Sequence, residues 1–70
     1  MDTNVVTSIA RLQVELRKLR RAAIDAAIGH AEIDAMLGLC DEALDGNQSA
    51  LAALAAIGYA LPPFPKLESN

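Results

Sequence analysis

The stretch VVTSIARLQVELRKLRRAAIDA, residues 5–26, decides the fold of this 70-residue chain. Its apolar residues recur at alternating steps of four and three, which is the heptad spacing of one helix face. No proline or glycine interrupts the pattern before Gly29, and Asp2, Thr3 or Asn4 can cap the first turn with a side-chain oxygen. We therefore predict a helix from about Thr3. Its apolar seam consists of Val5, Ile9, Leu12, Leu16, Leu19, Ala23 and Ala26.

The same spacing continues beyond Gly29, through His30, Ile33, Leu37, Cys40 and Leu44. We favour one long, kinked helix from about Thr3 to Leu44, because the phase is unbroken and neither His30 nor Ala31 is a good N-cap. The alternative is a turn at Gly29 that begins a second helix near Ala31, since glycine costs about 1 kcal/mol inside a helix.

The next boundary is predicted at Gly46, which suits the left-handed residue after a helix and is followed by a good N-cap, Asn47. A final helix should run from about Gln48 to Ala60 and end before Pro62. Its predicted apolar face consists of Leu51, Leu54, Ile57 or Gly58, and Leu61. The predicted fold is all-α, a two- or three-helix hairpin over residues 1–61 that assembles as an oligomeric helical bundle, with a Pro-rich extended tail at 62–70.

Such a short chain supports little core of its own and usually needs a disulfide, a metal or a partner chain. A single cysteine and a single histidine exclude an internal disulfide and a His/Cys metal set within one chain. The short final helix should leave part of the seam uncovered. We therefore expect a homodimer that associates through Val5, Ile9, Leu12, Leu16 and Leu19. The stretch 22–28 is apolar nearly all round, so we expect the final helix on one side of it and a second chain on the other.

Charge divides the chain into a basic first half and an acidic second half, with a net charge of −3. Two such segments would attract each other when antiparallel, within one chain or across a dimer. The basic cluster comprises Arg17, Lys18, Arg20 and Arg21. We interpret it as a solvated helix face, with docking to an acidic protein surface as an alternative. Nucleic-acid binding is disfavoured, because the pI is about 4.8 and no stacking aromatics accompany the cluster.

The remaining chemistry-bearing residues favour structural roles. His30 is expected to be a packed or hydrogen-bonded group, and Cys40 a small buried hydrophobe. We find no nucleophile with a neighbouring base, no phosphate loop and no cofactor motif, so we expect no enzymatic activity. Tyr59 and Phe64 are candidate partner-binding aromatics. For Phe64 we favour a fold-back onto the end of the helical core, with a docking peptide as the alternative.

The sequence therefore predicts a small non-enzymatic protein–protein interaction module, a homodimer that inhibits or adapts a larger protein. One alternative is a helical co-chaperone in an obligate heterodimer. A second alternative is a nucleic-acid-associated regulator that uses the basic cluster. The polar, acidic start lacks the features of a signal peptide, and no stretch resembles a membrane span, so a cytoplasmic location is expected.

Overall fold

Three helices make up the protein in the computed structural model, which describes residues 2–61. They are α1 (Thr3–Asp25), α2 (Ala31–Leu44) and α3 (Gln48–Ala56), and no strand occurs within that range. The predicted all-α fold is confirmed. The predicted extended tail, residues 62–70, lies outside the described residues.

The first two helices form an antiparallel hairpin. Gln13 contacts Asp41 and Arg20 contacts Asp34, so a step of seven residues forward along α1 matches a step of seven backward along α2. The basic and acidic halves of the sequence thus meet antiparallel within one chain, which was one of the two arrangements expected.

The favoured prediction of a continuous helix through Gly29 is wrong. Helix α1 ends at Asp25, and Ala27, not Gly29, adopts the left-handed conformation, with φ of 58°. The Ala27 amide donates to the carbonyl of Ile24 at 3.1 Å, and the Ile28 amide donates to the carbonyl of Ala23 at 2.8 Å. These two bonds form a Schellman motif, which satisfies carbonyls at the end of α1. The chain therefore turns two residues before the glycine.

The boundary between α2 and α3 is where the sequence predicts it. Gly46 has φ of 98°, and the Asn47 amide donates to the Glu42 carbonyl at 3.0 Å in a second Schellman motif. The Asn47 side chain then caps α3 by accepting from the amides of Ser49 and Ala50 at 2.9 and 3.2 Å. This tight connection places α3 directly against α2.

The final helix is shorter than predicted. It ends at Ala56 instead of about Ala60, because Gly58 and Tyr59 both adopt positive φ, 66° and 56°. The Tyr59 amide donates to the Leu54 carbonyl at 3.0 Å, which closes a third Schellman motif. The chain consequently leaves the helix axis four residues early and turns back towards α1.

The predicted seam is the core of the single chain. Ile9 and Leu16 are 0% exposed and Leu12 is 4% exposed, while Val5 and Leu19 are half-buried at its edges. We expected a second chain here because we assumed that one chain cannot cover the seam. That assumption is wrong, because α2 packs along the seam. Across from it lie Ile33, Met36, Cys40 and Ala43, with Ala50 and Leu54 of α3 completing the core.

Helix α3 packs on α2, and none of its Cα atoms lies within 8 Å of a Cα atom of α1, so the backbones of α1 and α3 make no direct helix–helix contact. Helix α3 therefore does not cover the apolar stretch 22–28, contrary to the expectation. Within that stretch Ala23 is buried by the hairpin, whereas Ile24, Ala26 and Ala27 are exposed. The three helices thus form an open arrangement in which the side between α1 and α3 lacks a helix–helix contact.

Candidate interaction surface

One flank of the hairpin carries a polar cluster centred on Asp34. The Arg20 Nε donates to Asp34 Oδ1 at 2.7 Å, and the His30 Nδ1 lies 2.8 Å from Asp34 Oδ2. The hydrogen bond from Arg20 is the largest cause that holds the pKa of Asp34 below its ordinary value of 3.8. His30 at the start of α2 is thus hydrogen-bonded, the structural role predicted for it.

A second polar contact on the same flank was not predicted from the sequence. Gln13 is only 8% exposed, and its Nε2 donates to Asp41 Oδ1 at 2.7 Å. Gln13 directly follows the seam residue Leu12, but Val6 and Arg20, which occupy the same heptad position, are exposed, so the heptad pattern does not predict its burial. Its partner is not readable, because Asp41 comes beside it only when the hairpin closes. The bond satisfies a buried amide that would otherwise destabilise the fold.

The basic cluster is largely neutralised within the chain. Arg20 pairs with Asp34, Arg21 with Asp25 at 3.5 Å, and Lys18 with Glu15 at 3.6 Å. Among residues 2–61, Arg17 makes no side-chain ion pair within 4.0 Å. Three of the four positive charges therefore have an acidic neighbour within 4.0 Å. Such an arrangement is less typical of a phosphate-binding face than four unpaired positive charges.

Cys40 is fully buried in α2, at the position expected of a small hydrophobe. Burial raises the pKa of its thiol, so the reactive thiolate is disfavoured there.

Within residues 2–61, no group of three or more histidine, cysteine, aspartate or glutamate side chains is arranged to hold a metal ion. None of the helices in the described range has the length and apolarity required to cross a bilayer.

Among residues 2–61, α3 and the turn after it form a surface without charged residues. No charged residue occurs between Gly46 and Leu61, whereas the outer faces of α1 and α2 carry exposed charges such as Lys18 and Glu42. We use the name α3 surface for its exposed apolar residues, Ala52, Ala53, Ala55, Ala56, Ile57 and Leu61. Ile57 and Leu61 are 45% and 44% exposed, and both belong to the face that the sequence predicts to be apolar.

A cavity of about 320 Å³ opens between α1 and the turn after α3. Helix α1 contributes a stripe at helical spacing, Ser8, Arg11, Leu12 and Glu15, and the turn contributes Gly58, Tyr59 and Leu61. Tyr59, a candidate partner-binding residue, is therefore half-buried beside α1. Phe64, the other candidate aromatic, lies outside the described residues.

No protein family, curated protein or solved structure matches this chain.

Proposed function

We propose that the chain is a non-enzymatic protein-interaction module whose partner at the α3 surface is a second copy of itself. The observation that carries the proposal is the absence of charge on the exposed side of α3 and its C-terminal turn. Interface cores are depleted of charged residues, whereas the solvated face of a free helix normally carries them.

The composition of the α3 surface favours a copy of the same helix over an unrelated surface. Ala52, Ala53 and Ala56 project only methyl groups, which allow two helix axes to approach to about 8 Å, the close end of the usual range. A two-fold interface brings the same patch of each subunit together and so must be self-complementary. An uncharged surface meets that condition without like-charge repulsion. Ile57 and Leu61 would then add the larger apolar side chains to the buried area.

The proposed dimer leaves two surfaces uncovered: the flank of the hairpin that carries the polar cluster of Asp34, and the outer face of α1. In this proposal the dimer also binds a larger protein. The exposed guanidinium of Arg17 makes no ion pair within residues 2–61. It is the group of the basic cluster that we expect to meet an acidic surface on that protein. Arg17 differs in this respect from Arg20, whose guanidinium is already held by Asp34.

Sedimentation equilibrium over a range of protein concentrations tests the dimer. We expect the parent chain to dimerise and Ala53→Glu to weaken the dimer at least tenfold, about 1.4 kcal/mol. The reason is that the substitution would bury a carboxylate without a partner between the two copies. The matched control is Ala35→Glu, which places the same charge at an exposed alanine of α2.

Circular dichroism should show that both variants remain as helical as the parent. A parent chain that sediments as a monomer into the millimolar range would refute the dimer. Equal weakening of the dimer by Ala35→Glu would place the interface elsewhere.

A further inference from the structure

The cavity beside α1 lies on the one side of the bundle where two helices do not meet. Helices α1 and α2 pack together, as do α2 and α3, but α1 and α3 make no helix–helix contact. Among residues 2–61, the turn that contains Gly58, Tyr59 and Leu61 lines this side opposite α1, with an open space of about 320 Å³ between them. Leu12, a core residue, forms part of the floor of that space.

The chain reaches the cavity just before its last nine residues. Leu61 lines the cavity and is directly followed by PPFPKLESN, residues 62–70. Phe64 lies three residues beyond Leu61, a reach of roughly 10 Å for an extended chain. That span is enough to bring the ring of Phe64 back over Leu12, because Leu12 and Leu61 line the same cavity.

We propose that the tail segment 62–70 docks in this cavity and that the ring of Phe64 enters it and packs against Leu12 and Tyr59. A phenylalanine ring is small enough to enter such a space and can bury its apolar surface against Leu12, and two aromatic rings attract each other beyond the effect of area burial. Because the segment is tethered beside the cavity, the contact is intramolecular and its effective concentration is high.

The polar rim of the cavity complements the tail segment in charge. Arg11 and Glu15 line it on α1, one residue of each sign. Beyond Phe64 the tail offers Lys66 and Glu68, again one of each sign. A docked tail can therefore pair Lys66 with Glu15 and Glu68 with Arg11 while the apolar ring enters the interior. Such rim pairs orient the segment more than they stabilise it.

The three prolines of the tail reduce the entropic cost of docking. Pro62, Pro63 and Pro65 hold φ near −65° and so restrict the free segment before it binds. A segment with fewer accessible conformations loses less entropy when it is ordered. A single aromatic anchor between prolines can therefore suffice.

Nuclear Overhauser effects on the full chain test this proposal directly. The chain has one phenylalanine, one tyrosine and no tryptophan, so the resonances of the two rings are distinguishable without substitution. We expect cross-peaks from the Phe64 ring to the Leu12 methyl groups and to the Tyr59 ring. Their absence, with Phe64 shifts at the values of a free peptide, would overturn the proposal.

Two tail variants provide an independent readout. Phe64→Ala should lower the midpoint of thermal unfolding by roughly 4–8 °C, the shift typical of a modest stability change in a domain of this size. Leu67→Ala is the matched control, because it removes an apolar side chain from the same segment but not the one assigned to the cavity. Equal shifts for the two variants would count against the assignment of Phe64.

A mixture of isotope-labelled and unlabelled chains distinguishes an intramolecular contact from an exchanged one. We expect the Phe64–Leu12 cross-peak to be absent from the spectrum filtered for intermolecular contacts. Its presence there would overturn the intramolecular docking and assign the segment to the cavity of a second copy. Neither result depends on whether the α3 surface mediates a dimer, because the same experiment can be repeated with Ala53→Glu, the variant in which that dimer should be weakened.

Discussion

Asp34 is the residue on which the polar flank of the hairpin depends. Its two carboxylate oxygens are shared between Arg20 of α1 and His30 at the N-terminus of α2. The same carboxylate lies in the first turn of α2, where negative charge is favoured by the helix dipole. One exposed side chain thus helps to hold α1 in place and helps to start α2, although His30 itself provides no side-chain cap.

The pKa of Asp34 gives this arrangement a measurable pH dependence. The Arg20 hydrogen bond, followed by the His30 hydrogen bond, lowers the pKa below 3.8, while desolvation opposes the shift. The folded chain therefore takes up this proton less readily than the unfolded chain. The contribution to stability is present above pH 3.8, and it is lost as the pH falls through the lower pKa of the folded state.

We expect Arg20→Met to raise the pKa of Asp34 towards 3.8, because it removes the largest cause of the shift. The carboxyl carbon shift of Asp34, followed by NMR as a function of pH, measures the change. Arg21→Met serves as the control, since Arg21 pairs with Asp25 and not with Asp34. An unchanged pKa of Asp34 in Arg20→Met would contradict the assigned ion pair.

At the scale of elements, each of the three helices ends in a Schellman motif, but the residue in the left-handed position differs. It is glycine after α2 and α3, at Gly46 and Gly58, and alanine after α1, at Ala27. A left-handed conformation costs a residue with a Cβ roughly 1–2 kcal/mol, a cost that glycine does not incur. Tyr59, which follows Gly58, carries strain of the same kind with φ of 56°. At the left-handed position that directly ends each Schellman motif, however, the strained residue is Ala27.

Relief of this strain should stabilise the protein. We expect Ala27→Gly to increase the free energy of unfolding by about 0.5–1 kcal/mol, after allowance for the greater freedom of glycine in the unfolded chain. Ala26→Gly is the matched control one residue earlier, where φ is −91° and an alanine is unstrained. That control should lose about 0.5–1 kcal/mol. Urea denaturation of both variants measures the difference, and an Ala27→Gly variant less stable than its parent would contradict a left-handed Ala27.

At the scale of the whole molecule, the hairpin of α1 and α2 provides most of the core. Leu16 lies at its centre and is 0% exposed, facing a helix of the same chain. Truncating a buried leucine costs about 2–5 kcal/mol, which is comparable with the total stability of a domain this small. The stability of the folded chain therefore depends on the seam residues, which the sequence pattern had suggested as an interface between chains.

We expect Leu16→Asp to abolish the helical circular dichroism signal at every protein concentration, because it buries an unpaired carboxylate in the core. The control is Val14→Asp on the same helix, where the side chain is 48% exposed and the change should stay within about 0.5 kcal/mol. If Leu16→Asp preserved the helical signal and only reduced association, the seam would lie between chains instead.

The sequence by itself determined the helical class, the start of α1 and the boundary at Gly46 and Asn47. These features depend on local chemistry, namely apolar periodicity, a side-chain oxygen at an N-cap and a glycine free to adopt positive φ.

Only the tertiary structure decided where α1 ends and what covers its seam. Ala27 has no local preference for the left-handed conformation, and it adopts it because the turn allows α2 to pack along α1. The same packing buries Ile9, Leu12 and Leu16 within one chain and brings Asp41 to Gln13. An apolar periodicity predicts that a helix face is covered, but it does not predict whether the covering helix belongs to the same chain. With the seam buried in the hairpin, we assign further contacts to the α3 surface, to the cavity beside α1 and to the exposed guanidinium of Arg17.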